Sequence, residues 1–323
     1  MLTAILRSRT IGAVAVTYIL AIAMVAFAFW QRSEGGHENE LLMLHWAFSW
    51  TDRFPVAIPL ISLLSVSALA VISRIQIQTS RQFSANSNLL MIAILSFVLG
   101  AGDNMFARPD VLLGTLISVG MFRLLFSTHK RESVLSEIFH VGFLLGLAAL
   151  ILGPLILYLL GVGFVIIVLR SGTWKEWAVL LLGICMVAVF VLMVTVWAES
   201  PTLAFQQAVS AGWTEATTQA ALTLRHGFLL PSLIVAAIGL LSSLTQGNVA
   251  ERNLAVSHAG WIATTLLMVV ALDVEVRNGV VLAAYPMGVF LAKQIESVKR
   301  GWIADLLLLA IIAAPFVSTL WRL

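Results

Sequence analysis

Along this chain, apolar residues come in long unbroken runs and polar residues come in short clusters between them, with neither a two-residue nor a clean helical alternation inside the runs. Runs of this kind read as helices that are apolar all round, the pattern of membrane spans. Eleven are predicted, at about 11–30, 55–73, 88–106, 109–126, 137–152, 154–169, 175–197, 227–246, 258–272, 278–294 and 301–320. Several hold only about fifteen strongly apolar residues against the ~20 that an upright span needs, which implies tilt, a thinned bilayer or shielding by neighbours. The stretch 138–169 is too long for one helix, and Gly153-Pro154 predicts a tight hairpin there. The first run, "IGAVAVTYILAIAMVAFAFW", is long and ends in bulky aromatics rather than a small-residue cleavage site, so it reads as a retained helix.

Composition agrees with the pattern. Hydrophobic residues make up 60% of the 323, charged residues 11%, and the mean hydropathy is +0.99, which excludes a soluble globular domain. The fold class is therefore all-α: a polytopic transmembrane bundle of about eleven spans, forming a single domain over residues 1–323. The single cysteine, Cys185, rules out an intrachain disulfide. Net charge is only +3, but the distribution of basic residues orients the chain. With the N-terminus cytoplasmic, thirteen of the nineteen lysines and arginines fall inside: Arg7, Arg9, Arg74, Arg81, Arg123, Lys130, Arg131, Arg170, Lys175, Arg252, Lys293, Lys299 and Arg300. Glu34, Glu38, Glu40, Asp52, Asp103, Asp110, Glu199, Glu215, Asp273 and Glu275 are then all external, and the C-terminus is outside. An odd number of spans requires that last point.

Two external segments are long enough for structure of their own. In 31–54, "LLMLHWAFSWTDRFP" carries Trp46, Phe48, Trp50 and Phe54 and predicts a helix lying in the headgroup layer. Residues 198–226 predict two short helices forming a lid or a partner surface. The six histidines show no metal-ligand spacing with cysteine or carboxylate, so no metal is expected, and neither a phosphate-cradling glycine loop nor a serine elbow occurs. Arg123, His140 and Asp305 fall near the cytoplasmic boundary, where pairing or snorkelling satisfies them. The turn "AGDNMFARPDVLLG" gathers Asp103, Arg108 and Asp110 between two apolar runs. Asp110, directly after Pro109, suits a helix start; Asp103 either pairs with Arg108 or caps a helix, or it is free to face a site.

"DVLLGTLISVGMFRLLFS", "HVGFLLGLAALILGPLILYLLGVGFVIIVLR" and "WKEWAVLLLGICMVAVFVLMVTVW", with the later "RNGVVLAAYPMGVFLAKQI" and "RGWIADLLLLAIIAAP", resemble an uncharacterised family of bacterial inner-membrane proteins over residues 88–323. The same ladder is distantly similar to the C-type glycosyltransferase superfamily, whose members take sugars from polyprenyl-phosphate carriers at the external face. The features that correspond are Asp110, Gly142 to Ala148, Pro154, and Arg277 with Pro286. Transfer from such a donor requires a carboxylate base and cationic stabilisation of the phosphate leaving group. The resemblance would place Asp52 and Asp103 as catalytic carboxylates, with Glu38 beside them and Glu40, Arg108, Arg225 and Arg277 as substrate and phosphate partners. It departs from the enzymes in a first external loop of only about 24 residues that has neither an Asp-Glu nor an Asp-x-Asp pair.

The expected function is accordingly a non-catalytic subunit or scaffold of cell-envelope assembly in the bacterial inner membrane. The alternatives are an external transferase using a polyprenyl-phosphate-sugar donor and a small-molecule or lipid transporter. Expected partners are membrane lipids and other envelope proteins rather than nucleic acid. No cofactor is expected apart from a lipid or polyprenyl-phosphate ligand.

Overall fold

A computed structural model describes residues 14–20, 22–23, 57–79, 87–100, 109–128, 134–170, 172–196, 230–272, 274 and 276–320. Among these residues every regular element is helical. After a helical stretch at 14–20 and 22–23, the helices are α1 (Ala57–Thr79), α2 (Ser87–Gly100), α3 (Pro109–Ser127), α4 (Leu135–Ile151), α5 (Tyr158–Arg170), α6 (Trp174–Val196), α7 (Leu230–Gln246), α8 (Val249–Ala271), α9 (Val276–Leu282), α10 (Ala284–Ser297) and α11 (Gly301–Leu320). A short 3-10 turn, Gly153–Leu157, leads into α5.

Among the described residues four helical stretches are long and apolar enough to cross a membrane: Pro109–Ser127, Gly153–Arg170, Trp174–Met193 and Val249–Ala271. The outer surface supports a membrane setting independently of length. Leu181, Met186, Phe190, Leu241, Leu266, Val270, Leu306 and Leu309 all point outward, exposing large apolar side chains that water would not tolerate in such numbers. In an apolar surround every backbone polar group must be satisfied inside its own segment, which is why these runs are helices. Interior hydroxyls follow the same rule by donating back one turn: Ser96 to Ile92 O at 2.9 Å, Thr115 to Val111 O at 2.7 Å, Ser118 to Gly114 O at 2.7 Å and Ser243 to Gly239 O at 2.8 Å.

α2 runs through the centre, buried from Asn88 to Leu99 and enclosed by α1, α9, α10 and α11. α3 joins α1, α4 and α9; α8 joins α5, α7, α9 and α10; α6 lies at the periphery, seated on α4. That seat is made by glycine. A Cβ on Gly183 would meet Phe139 O and lie 2.7 Å from Phe143 N, and one on Gly142 would meet Leu180 O, so the two backbones touch directly. Because Gly142 meets Leu180 and Gly146, four residues on, meets Ile184, also four residues on, α4 and α6 run parallel.

Three sequence expectations are corrected. Gly153-Pro154 does reverse the chain, but not as a tight hairpin: the 3-10 turn carries α5 away from α4, and α5 packs along α8 while α4 packs along α6 and α3. The span expected at 258–272 begins at Val249, because the Asn248 side chain accepts from Glu251 N at 2.9 Å and caps a polar first turn that hydropathy does not register. The span expected at 278–294 is two helices, since Pro286 has no N–H to give the Leu282 carbonyl and the chain turns at Ala283. The interfacial helix expected in 31–54 and the helical loop 198–226 lie outside the described residues.

Candidate functional site

Of the residues the sequence nominates, Glu38, Glu40, Asp52, Asp103, Arg108 and Arg225 lie outside the described residues, and Arg277 is described in its backbone only, within α9. Asp110 is described. It follows Pro109 in the first turn of α3 and is 5% exposed, the placement in which a carboxylate complements the amides and dipole of a helix start. α9 packs beside α3 and runs the same way, since both oppose α8: Phe122 and Phe126 meet Trp261 and His258, while Gly279 meets Val269 and Tyr285, just beyond α9, meets Trp261. The starts of the two helices thus sit at one end of the bundle, Asp110 on one and Asn278 on the other. Asn278 is 6% exposed, and its Oδ1 has no hydrogen-bond partner among the described residues.

Deeper in the bundle four helices contribute an aromatic and polar cluster that the sequence reading missed. Trp261 of α8 stacks on Phe122 of α3, ring centroids 4.0 Å apart, and packs on Tyr285 of α10 at 5.6 Å. Trp261 Nε1 donates to the Tyr158 oxygen of α5 at 3.0 Å. That oxygen is also 3.0 Å from Thr265 Oγ1, whose own hydroxyl is 3.0 Å from Trp261 O. Assigning the protons so that each oxygen is served gives a closed circuit: indole to phenol, phenol to threonine, threonine to the backbone carbonyl. One turn away, His258 lies between Phe126 at 4.7 Å and Tyr285 at 5.9 Å, with Nδ1 2.8 Å from Leu254 O. A carbonyl only accepts, so Nδ1 carries the proton. Arg123 lies half-buried on α3, one residue after Phe122.

At the opposite end from Asp110, polar groups tie helix ends together. Arg170 donates from Nη1 to Thr128 O at 2.7 Å and from Nε to Glu176 Oε1 at 3.2 Å, while Glu176 Oε2 accepts from Thr173 N at 3.2 Å. Gly172, at φ +48°, makes the left-handed turn that brings Arg170 and Glu176 together. Lys293 of α10 reaches Glu251 of α8 at 3.4 Å. His140 is exposed, its Nδ1 2.6 Å from Ser136 O. Among the described residues no group of three or more His, Cys, Asp or Glu side chains is placed to hold a metal ion.

The signal for the interior cluster was present as spacing. His258, Trp261 and Thr265 fall at i, i+3 and i+7, one face of α8, and Phe122 and Phe126 fall at i and i+4 on α3. A histidine screen for metal-ligand spacing passes over a histidine whose neighbours are rings. No family model, curated protein or solved structure matches this chain.

Proposed function

We propose that this chain is an eleven-span protein of the bacterial inner membrane, N-terminus cytoplasmic, that serves as a non-catalytic subunit or scaffold of a cell-envelope assembly. The supporting observation is how its interior polar groups are used. Trp261, Tyr158 and Thr265 satisfy one another across α5 and α8, and the surrounding rings stack at contact distance. Such a centre holds helices in fixed register, a property suited to positioning other proteins. Cys185 offers the test, being the single cysteine of the sequence and exposed on the peripheral helix α6. A photo-crosslinker attached there in native membranes, with purification in mild detergent, is expected to yield a discrete stoichiometric envelope-protein adduct. Adducts to lipid alone, with no protein co-purifying, would remove the scaffold reading.

One observation favours a second reading, an externally facing transferase acting on a polyprenyl-phosphate-sugar donor. Asp110 and the Arg277-Asn278 pair begin two neighbouring helices at the same end of the bundle, the end to which the loops carrying Asp52, Asp103 and Arg108 connect on the expected topology. Under that reading Asp103→Asn abolishes complementation of a deletion strain at normal protein level. Full complementation by Asp103→Asn would leave the scaffold as the better account.

A further inference from the structure

The joint between α9 and α10 is an irregularity that neither reading uses. The helical ladder is intact on both sides of it: Ala283 N donates to Gly279 O at 3.0 Å, and Met287 N donates to Ala283 O at 3.0 Å. Between them Pro286 withholds the amide that Leu282 O would receive, and Ala283 takes φ −91°, ψ 0°. The two arms are anchored very differently. α10 is fourteen residues long, packs on α2, α7 and α11, and is held to α8 by Lys293 and Glu251. α9 has seven residues, inserted between α2, α3 and α8. Its described side chains, Asn278 to Leu282, are all buried, and it seats so closely on α8 that a Cβ at Gly279 would lie 2.5 Å from Val269 Cγ2. Yet this tightly seated segment buries the Asn278 amide with its Oδ1 unserved among the described residues. A buried, unsatisfied amide oxygen penalises the seated position, and that penalty disappears if the segment moves to where water can reach it.

We propose that α9 is a hinged plug. It pivots at Ala283 away from α3 and α8 while α10 stays in place, and Asn278 sets the balance between seated and open positions by gaining a hydrogen-bond donor only when the plug opens. The proposal is independent of whether the protein is a scaffold or a transferase.

Hydrogen exchange read by mass spectrometry on the full chain in lipid nanodiscs tests it. Amides of 278–282 should exchange at least about tenfold faster than those of 288–297, because local opening exposes the first set alone. Asn278→Leu keeps the side-chain size and removes the unserved oxygen, so it should slow exchange in 278–282 by at least about fivefold and leave 288–297 unchanged. Pro286→Ala returns the missing donor to Leu282 O and should slow the same amides, which keeps the test decisive if Asn278→Leu fails to fold. Equal protection of the two segments in the unmodified protein would overturn the plug. Unchanged or faster exchange of 278–282 in Asn278→Leu would overturn the role of Asn278, and unchanged exchange in Pro286→Ala would overturn the pivot.

Discussion

Tyr158→Phe removes one oxygen atom from the middle of the bundle and little else. The ring stays, and with it the edge contacts to Phe122 at 5.8 Å and Trp261 at 6.2 Å. Two hydrogen bonds of 3.0 Å are lost. Thr265 can still donate to Trp261 O, so its hydroxyl is served, but the indole N–H of Trp261 is stranded in a site where that side chain is 0% exposed. A stranded buried donor costs about 1–3 kcal/mol in water-soluble proteins. Interhelical hydrogen bonds in membranes average only about 0.6 kcal/mol, with a maximum near 1.7, because the dissociated helices find other partners. Full burial and good geometry put this site at the upper end of the membrane range, so a loss of about 1.5 kcal/mol is expected. Thr265→Val keeps the shape and removes the acceptor; the double variant should lose about 0.5–1 kcal/mol less than the sum of the singles, since both act on one circuit. Reversible unfolding in mixed detergent micelles measures all three variants. Tyr158→Phe as stable as the parent, or strictly additive losses, would show that the circuit does not hold α5 to α8.

Gly183→Ala pushes a methyl into the backbone of α4, between Phe139 O and Phe143 N, and should cost about 2 kcal/mol or more by the same assay, whereas Gly301→Ala, with nothing within 4 Å of the added carbon, should change stability by less than about 0.5 kcal/mol. Glu176→Gln leaves the Arg170 guanidinium with half its carboxylate partner in a site where the two side chains are 14% and 6% exposed, and a loss of about 2 kcal/mol is expected; parent-like stability would show the pair to be dispensable. Asp110→Asn weakens the complement to the start of α3 and should lower stability by about 1 kcal/mol without touching any reaction, so loss of cellular function at unchanged stability would assign Asp110 a further role. For orientation, cysteine at Ser210 should react with an impermeant thiol reagent from outside and cysteine at Ser80 should not; the reverse pattern would invert the topology.

Helix existence was legible because apolar length survives any ambiguity of pattern: α3, expected at 109–126, is Pro109–Ser127, and α11, expected at 301–320, is Gly301–Leu320. Helix ends were less legible, and for a definite reason. Hydropathy registers side-chain transfer, while helix ends are set by backbone hydrogen bonding, so the polar turns Val249 to Ser257 were invisible until Asn248 is seen to cap them. The break at Ala283 was written in Pro286 but competed with an apolar run that continues through it. Packing partners were not legible at all. Nothing in Gly153-Pro154 states that α5 leaves α4 for α8; that choice depends on Gly161 meeting Thr264 and on Tyr158 meeting Trp261, residues about a hundred positions apart. The nominated carboxylates and arginines came from loop charge and a resemblance. Of the nominated site residues only Arg277, in α9, falls within the described residues.

The two proline interruptions are placed so that one residue senses both. Pro154 precedes Tyr158 by one helical turn, Pro286 directly follows Tyr285, and both rings pack against Trp261. In an apolar surround, lipid competes for hydrophobic contact as well as a neighbouring helix does, so helix register must come from close backbone approach or from polar ties. α4 and α6 use the first device, at Gly142 and Gly183. α5 and α8 use the second, and α10 joins them through Tyr285, just past the joint at Ala283 where α9 ends. Movement of α9 about Ala283 therefore starts two residues from a ring in contact with Trp261. The circuit that fixes α5 against α8 is also the fixed wall against which α9 would turn.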